Sequence, residues 1–403
     1  MGKNIWIVNH YAIPPYLPGG TRHYDLSKRL VELGYSVTIF SSSFHYQKLR
    51  DFKTYKDQQY FIKEQLDGVE FIWFKTRSYT KNNYKRVLNM LSFVHQFKKF
   101  INNKQYSNSP DIIIGSSVHL FAVSAAAKAA SKLNARFYME VRDIWPQTLI
   151  DLGVSKWHPL VQWLGRIERK MYKKAEKIIV LLPRAKEHIL KFGIPAQKIT
   201  YIPNGVDIKP YSENDLPCNE NKIFTIVYAG VIGLANNLII AVETAKLFQD
   251  KGEPIHFKIV GEGQEKKKLM NLANKYKLNN IEFVGAIPKA EIKSVLQSAN
   301  ALYFNLIDSP VFKYGLSSNK LFDYLASKKP IIFSCKAGNN PVEEAKAGLT
   351  IEPNSSESLY KAIKKLKSYS KDELIQMGEN GYNFIKEHHS MEVLTKDLVS
   401  VLE

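Results

Sequence analysis

The chain has very little cysteine: Cys218 and Cys335 are the only two in 403 residues. Two thiols exclude a disulfide framework and a Cys-rich zinc site, so a reducing cytoplasm is the expected home. Long apolar runs are missing too, and none approaches the roughly 18 residues that would span a bilayer. The N-terminus enters Asn4-Ile5-Trp6-Ile7-Val8 at once, too short and abrupt for a secretory leader. Acid is scarce in the first half. Residues 1–208 carry +17 of the net +19, and the remainder only +2. Such asymmetry points one half toward a polyanion: anionic lipid, nucleic acid or an acidic substrate. Solubility alone is the plainer reading of the same excess. No RNA-binding or helix-turn-helix signature accompanies the cations, so no nucleic-acid partner is expected.

What the chain does have is strand–helix alternation, twice over. A hydrophobic content of 45% and a length of 403 residues allow two globular domains. Ile5–Asn9 predicts a buried strand. A loop with Gly19 and Gly20 follows, then a helix over Thr21–Leu33 that contains Arg22, then a strand over Val37–Phe40. Asp111–Gly115 predicts a further strand, with Ser116, Ser117 and His119 at its C-terminal end. Phe137–Val141 leads into Arg142-Asp143-Ile144-Trp145-Pro146. A helix over Gly165–Lys174 and strands over Lys177–Leu182 and Ile199–Ile202 complete the first half. Between them, residues 41–110 mix rings with cations. There Tyr84–Ile101 predicts an amphipathic basic helix carrying Lys85, Arg86, Lys98 and Lys99. Such a helix suits an anionic membrane, although a core-facing surface helix has the same pattern.

Pro203-Asn204-Gly205-Val206-Asp207 interrupts the pattern, and the polar residues after it place a boundary at 208. The alternation then restarts at Ile223–Tyr228, which runs into Ala229-Gly230-Val231-Ile232-Gly233. His256–Val260 leads into Gly261-Glu262-Gly263, and Ile281–Val284 into Gly285-Ala286-Ile287-Pro288. Two α/β halves imply two Rossmann-like sheets facing a cleft.

The most informative stretch is Lys313–Phe333. Gly315 permits a change of direction, Ser317 and Ser318 can cap, and Leu321, Phe322 and Leu325 form an apolar side. A helix N-terminus suits phosphate, Lys320 adds a cation there, and Asp323 lies a turn deeper, where it can accept two ribose hydroxyls. An ordinary capped helix with a solvated Lys and Asp explains the same residues equally well.

In order and wording these motifs resemble glycosyltransferase family 4, enzymes of the α/β GT-B fold, over nearly the whole chain. Pro18-Gly19-Gly20 with Arg22, Gly115–His119, Arg142–Pro146, Ile202–Asp207, Val260–Gly263, Phe283–Gly285 and Asn319–Ala326 all carry the likeness. It is nearest to bacterial O-antigen and capsule transferases of the N-acetylfucosamine-transferase type. The resemblance implies an N-terminal acceptor domain over 1–208, joined by 389–403, and a nucleotide-sugar domain over 209–388. It implies that Asp323 holds the donor ribose, in place of the second Glu of an E-x7-E signature whose first acid falls on Gly315. It implies that Gly230, Gly233, Glu262, Ser318, Asn319 and Lys320 surround the donor, and that Ile287 presents backbone to the base. His119 would hydrogen-bond the transferred sugar. Gly19, Gly20, Arg22, Arg142 and Asp143 would border phosphates and acceptor. The family's frequent Arg and Lys fall near Val231 and Asn236, and Lys320 is the substitute for their charge.

The implied activity is retaining transfer of an N-acetylated amino or deoxyamino sugar from a nucleotide diphosphate, UDP-linked, to a polyprenyl-diphosphate-linked saccharide. That acceptor would sit at the inner face of the cell membrane. Asp-x-Asp, a common metal–diphosphate motif of other transferases, is absent, so no metal or other cofactor is expected to be required. A sugar-nucleotide epimerase of the same architecture and a basic nucleic-acid-binding protein are the alternatives.

Overall fold

The computed structural model describes residues 2–17, 19–46, 48–81, 83–212 and 223–403. Pro18, Cys218 and most of the polar stretch after residue 208 lie outside them. The chain divides into two compact units, Met1–Pro203 with Leu394–Glu403, and Asn204–Val393.

The first unit holds an eight-stranded sheet. Its strands are β1 (Asn4–Val8), β2 (Ser36–Ser42), β5 (Phe61–Leu66), β6 (Val69–Phe74), β7 (Ile112–Ser116), β8 (Arg136–Val141), β9 (Lys177–Val180) and β10 (Ile199–Tyr201), in the order β10-β9-β8-β7-β1-β2-β6-β5. A separate antiparallel pair, β3 (Phe44–His45) and β4 (Arg50–Asp51), lies beside it in sequence. The central strands read as unbroken apolar runs because helices cover both faces of a parallel sheet; every residue of β7 is buried. β1 pairs with β2 on one side and β7 on the other, both parallel, with Val8 opposite Phe40 and Gly115. The strand order therefore reverses at β1/β7, and ligands of open α/β sheets bind at the carboxyl ends of strands at such a reversal.

The β5–β6 hairpin is an antiparallel edge that sequence periodicity did not reveal. Its turn is Asp67-Gly68, both at positive φ (48° and 78°), a pairing suited to a tight two-residue hairpin. The basic helix runs Tyr84–Asn102, its N-terminus capped where Asn83 accepts from the Lys85 amide. Phe93, Phe97 and Phe100 bury its far half against Phe40 and Phe74. The helix expected from Gly165 begins earlier, at Pro159, because His158 caps it and proline fits its first turn.

The second unit holds a six-stranded parallel sheet: β11 (Thr225–Ala229), β12 (His256–Val260), β13 (Ile281–Val284), β14 (Ala301–Asn305), β15 (Ile331–Ser334) and β16 (Gly348–Ile351). Their order, β13-β12-β11-β14-β15-β16, is that of a dinucleotide-binding sheet, with its reversal at β11/β14. The division between units falls before Asn204, not at 208. Asn204 donates from its amide to Ser317 Oγ (2.8 Å) and from Nδ2 to Ser317 O (2.6 Å), which ties it to the second sheet. His389 also stays in this unit, stacked on Phe322 at 4.3 Å. Only from Leu394 does the closing helix, Met391–Leu402, belong to the first unit. There the Leu402 carbonyl accepts from Lys3 Nζ (2.6 Å) and Arg136 Nη1 (3.2 Å), cations suited to a helix C-terminus.

Candidate active-site regions

In the second unit, polar groups converge where β11 ends beside β14. The Lys320 ammonium donates to Asn236 Oδ1 (2.9 Å) and Tyr228 Oη (3.1 Å), and lies 4.4 and 4.8 Å from the Tyr228 and Phe304 ring centroids. No carboxylate reaches it among the described residues. Burial lowers its pKa to about 7. Lys320 thus brings its charge to Asn236. Gly230 makes this possible: at φ +155°, a Cβ there would lie 2.8 Å from Lys320 Cδ.

The surrounding loops are held by the strands' own residues. Tyr324 Oη donates to Ala229 O (3.0 Å) and accepts from the Ala229 amide (2.6 Å), fixing the Asn319–Ala326 helix to the end of β11. Tyr228 Oη donates to Val231 O (2.6 Å), and buried Asn305 donates to Asn236 O and Asn237 O. The two glycine loops then lie backbone against backbone. A Cβ on Gly261 would come within 1.9 Å of Gly230 O, and one on Gly263 within 2.1 Å of Ile232 O. This packing uses the Gly230 amide on Val260 O and the Ile232 amide on Glu262 O. Gly230 therefore supplies room and not a phosphate-binding amide, a correction to the sequence expectation. Gly233 lies 3.8 Å, from an added Cβ, to Asn236 Nδ2.

The other expected donor residues spread around this point. Asn319 opens the helix, and Ser318 precedes it without a side-chain cap. Asp323 is half-buried beside Tyr211, whose phenol donates to it and is raised in pKa by burial first and that carboxylate second. Glu262 is exposed and paired with Lys266 at 2.7 Å. Ile287 packs against the core that includes Phe322 and Leu325.

In the first unit, the reversal at β1/β7 brings together His10 and His119, 3.0 Å apart from Nδ1 to Nε2. His10 is fully buried and stacked between Tyr11 (4.3 Å) and Phe93 (4.5 Å). His119 Nδ1 accepts from the Ala122 amide at 3.1 Å and caps the Leu120–Leu133 helix. Burial, then neighbouring Arg86, pushes the His119 pKa down to about 3, and burial lowers His10 strongly as well. Both rings are neutral. An acceptor role at His119 Nδ1 puts its proton on Nε2, which donates to His10 Nδ1. His10 then carries its proton on Nε2, a buried atom with no hydrogen-bond partner. Both His119 nitrogens are occupied, so the nitrogen left to meet a ligand belongs to His10, which sequence reading had not singled out. Its position just past β1 at the strand reversal was the available signal.

Arg22 is placed differently from the expectation. It is buried, with Nε on Glu140 (3.1 Å), Nη2 on Ile202 O (2.8 Å) and Nη1 on Pro203 O. All three nitrogens are engaged inside the unit, so it positions the site and does not border a phosphate. Glu140 also accepts from His23 Nε2 and Ser116 Oγ, both at 2.8 Å, and Asn9 Nδ2 bonds His23 Nδ1 at 3.1 Å. Burial alone would raise the Glu140 pKa. His23 and Arg22 more than offset that and hold it well below the carboxylate range. Ser117 accepts the Arg142 amide (3.0 Å) and so anchors the Arg142–Asp143 loop, where Arg142 is half-buried and Asp143 exposed. Gly19, at φ +137°, and Gly20 are exposed on the first loop.

Among the described residues no cluster of three His, Cys, Asp or Glu has a metal-site arrangement, and no helix is long and apolar enough to cross a membrane.

This architecture is shared with known enzymes. The chain superposes on a sucrose-phosphate synthase from Thermosynechococcus elongatus with TM-score 0.74 and 16% identity, covering 99% of this chain and 98% of that one. With Anabaena Alr3699/HepE, solved in complex with UDP and glucose, the TM-score is 0.68 and identity 15%, covering 100% and 99%. The fold is GT-B. Residues 19–209 match the description Glycosyltransferase Family 4, and residues 213–384 match Glycosyl transferases group 1. The chain belongs to glycosyltransferase family 4. The putative colanic acid biosynthesis glycosyl transferase WcaI of Escherichia coli (strain K12) is 24% identical over 275 residues, 64% of this chain and 66% of that protein. An uncharacterized glycosyltransferase of Methanocaldococcus jannaschii, MJ1069, is 26% identical over 59% of this chain and 60% of its own length. The chain thus matches just under two thirds of the length of these curated relatives.

Proposed function

We propose that this glycosyltransferase builds a bacterial surface polysaccharide, moving a sugar from a UDP-linked donor to a lipid-linked saccharide with retention of anomeric configuration. The observation that carries the donor half is Lys320. A cation with no carboxylate partner among the described residues sits at a helix N-terminus, at the strand reversal, one turn from Asp323. Breaking the sugar–phosphate bond leaves negative charge on the diphosphate. A preorganised ammonium and the amides of Ser318–Lys320 stabilise that charge without a metal. Asp323 takes the ribose hydroxyls, and Ile287 backbone meets the base. The polysaccharide role is supported by the relatives named for colanic acid biosynthesis, and the UDP-linked donor by HepE, solved with UDP and glucose.

The donor sugar is read as an N-acetylated amino or deoxyamino sugar, and the acceptor as a polyprenyl-diphosphate-linked saccharide for O-antigen or capsule. A panel of nucleotide sugars, with and without lipid-linked acceptor, tests this by released UDP or GDP. Acceptor-dependent release from one UDP-sugar is the expected result. Donor consumption with no acceptor and a 2-epimeric product would make the chain an epimerase instead.

A further inference from the structure

The first unit holds a second cation that the donor chemistry does not use. Arg86 lies in the first turn of the Tyr84–Asn102 helix, its guanidinium 5.9 Å from the Tyr11 ring centroid. Its Nε is buried and has no hydrogen-bond partner, and no carboxylate lies within ion-pair reach among the described residues. Tyr11 is in turn stacked on His10, whose buried Nε2–H is also unpartnered. Tyr46 packs on Tyr11 at 5.3 Å and completes an aromatic wall.

Leaving a buried donor unsatisfied is costly, and a cation away from any anion adds to that cost. The Arg86 guanidinium hydrogen-bonds the Tyr11 phenol, a neutral partner, while its Nε and the His10 Nε2–H are left without an acceptor. The histidines do not serve, since both are neutral with their remaining nitrogens assigned. Arginine and a neutral N–H together suit an oxyanion, which accepts several hydrogen bonds and balances the charge.

We propose that Arg86 and His10 Nε2–H bind a phosphate oxygen of the acceptor at the β1/β7 reversal, with His119 positioning His10 by fixing its tautomer. This rests on the transferase reading above and assigns the acceptor's anionic group to named residues.

The test uses the full chain with UDP in excess, so that the donor site is filled. Farnesyl diphosphate, inorganic pyrophosphate and farnesol are the probes, measured by calorimetry. Arg86→Met keeps the stem and removes the charge. His10→Phe keeps the stack between Tyr11 and Phe93 and removes the N–H. Each variant is expected to weaken farnesyl diphosphate at least tenfold, with Arg86→Lys intermediate, and farnesol is expected not to bind. Pyrophosphate that competes with the prenyl probe identifies the anion alone as sufficient. Pyrophosphate that does not compete assigns part of the affinity to the lipid, and both results support the site. In wild type, the His10 Nε2–H signal of 15N-histidine-labelled protein, assigned by its loss in His10→Phe, is expected to shift with the diphosphate. That readout needs no variant at Arg86. Equal affinity of Arg86→Met and wild type, equal binding of farnesol and its diphosphate, or no binding of any probe overturns the proposal. Nucleotide-sugar turnover is measured separately. A chain that turns over donor but fails these tests loses only the Arg86 site.

Discussion

The two units solve one problem with different cations. Each has a strand reversal, and each places there a positive side chain among aromatic rings with no carboxylate to neutralise it among the described residues. In the first unit the cation is the guanidinium of Arg86. In the second it is Lys320, whose burial brings its pKa down to about 7. A guanidinium holds its charge whether or not a ligand is present, while a desolvated ammonium gains its proton fully when an anion arrives. The first region is therefore a standing anion site, and the second is coupled to pH.

Removing the second cation is expected to have the largest effect. Lys320→Ala should lower turnover by about a hundredfold or more, the usual scale for deleting one charge-stabilising donor. Steady-state release of UDP from the cognate donor measures it; a loss of less than tenfold would move the leaving-group role elsewhere. The same assay is expected to retain activity in EDTA. Loss restored by Mg²⁺ or Mn²⁺ would hand the role to a metal.

The pH coupling sharpens the contrast. Free Lys320 is protonated below about pH 7, and the diphosphate favours its protonated form. Donor binding therefore takes up a proton above pH 7 and none well below it. kcat/KM should be flat on the acid side of 7 and fall about tenfold per unit above it. Lys320→Arg, charged throughout, should flatten that alkaline arm in whatever activity it retains. A wild-type profile level from pH 7 to 9 would break the distinction between the units.

Much of this was legible in the sequence, but unevenly. The Asn319–Ala326 helix, the glycine loops and the strand series follow from periodicity and turn residues. What was not legible depends on who meets whom across the sheet. Arg22 looks like a ligand residue beside two glycines, yet Glu140, 118 positions away, consumes it. His119 has the right strand end, but its two nitrogens are spent on Ala122 and His10. The β5–β6 hairpin was hidden because Lys63, Glu64 and Gln65 break its apolar pattern on an exposed edge; Asp67-Gly68 was the clue.

A smaller effect is expected at Asp323. Asp323→Asn replaces a charged acceptor by an amide that still fits beside Tyr211. Loss of one charge-assisted hydrogen bond costs about 1.5–3 kcal/mol, so donor affinity should fall by one to two orders of magnitude. Titration calorimetry with the cognate nucleotide sugar measures this, and an unchanged affinity would remove Asp323 from the ribose site.

The smallest single-residue effects are expected at the membrane. The Tyr84–Asn102 helix contains no acid, and its two halves differ. Phe93, Phe97 and Phe100 are buried, whereas Tyr84, Val87, Leu88 and Leu91 are exposed. Trp157, Leu160 and Trp163 are exposed at the start of the Pro159–Lys174 helix, and Trp163 meets Phe121 at 5.5 Å. The core-facing reading of the basic helix thus fits its far half, and the exposed first half is where the membrane-facing reading is to be tested. Arg86 leaves the surface set, since its Nε is buried beside Tyr11. Lys85, Lys98 and Lys99 remain exposed. Each cation near an anionic surface contributes roughly 1 kcal/mol and is screened by salt. Reversing each to Glu should therefore weaken binding to anionic vesicles severalfold per residue at low salt, and less as salt rises. Trp157→Ala with Trp163→Ala should matter most at high salt, where only apolar burial persists. Vesicle co-sedimentation across a salt series separates the two contributions. Equal sedimentation with neutral and anionic vesicles, or none with either, would remove the anionic membrane and leave a soluble acceptor for the first unit.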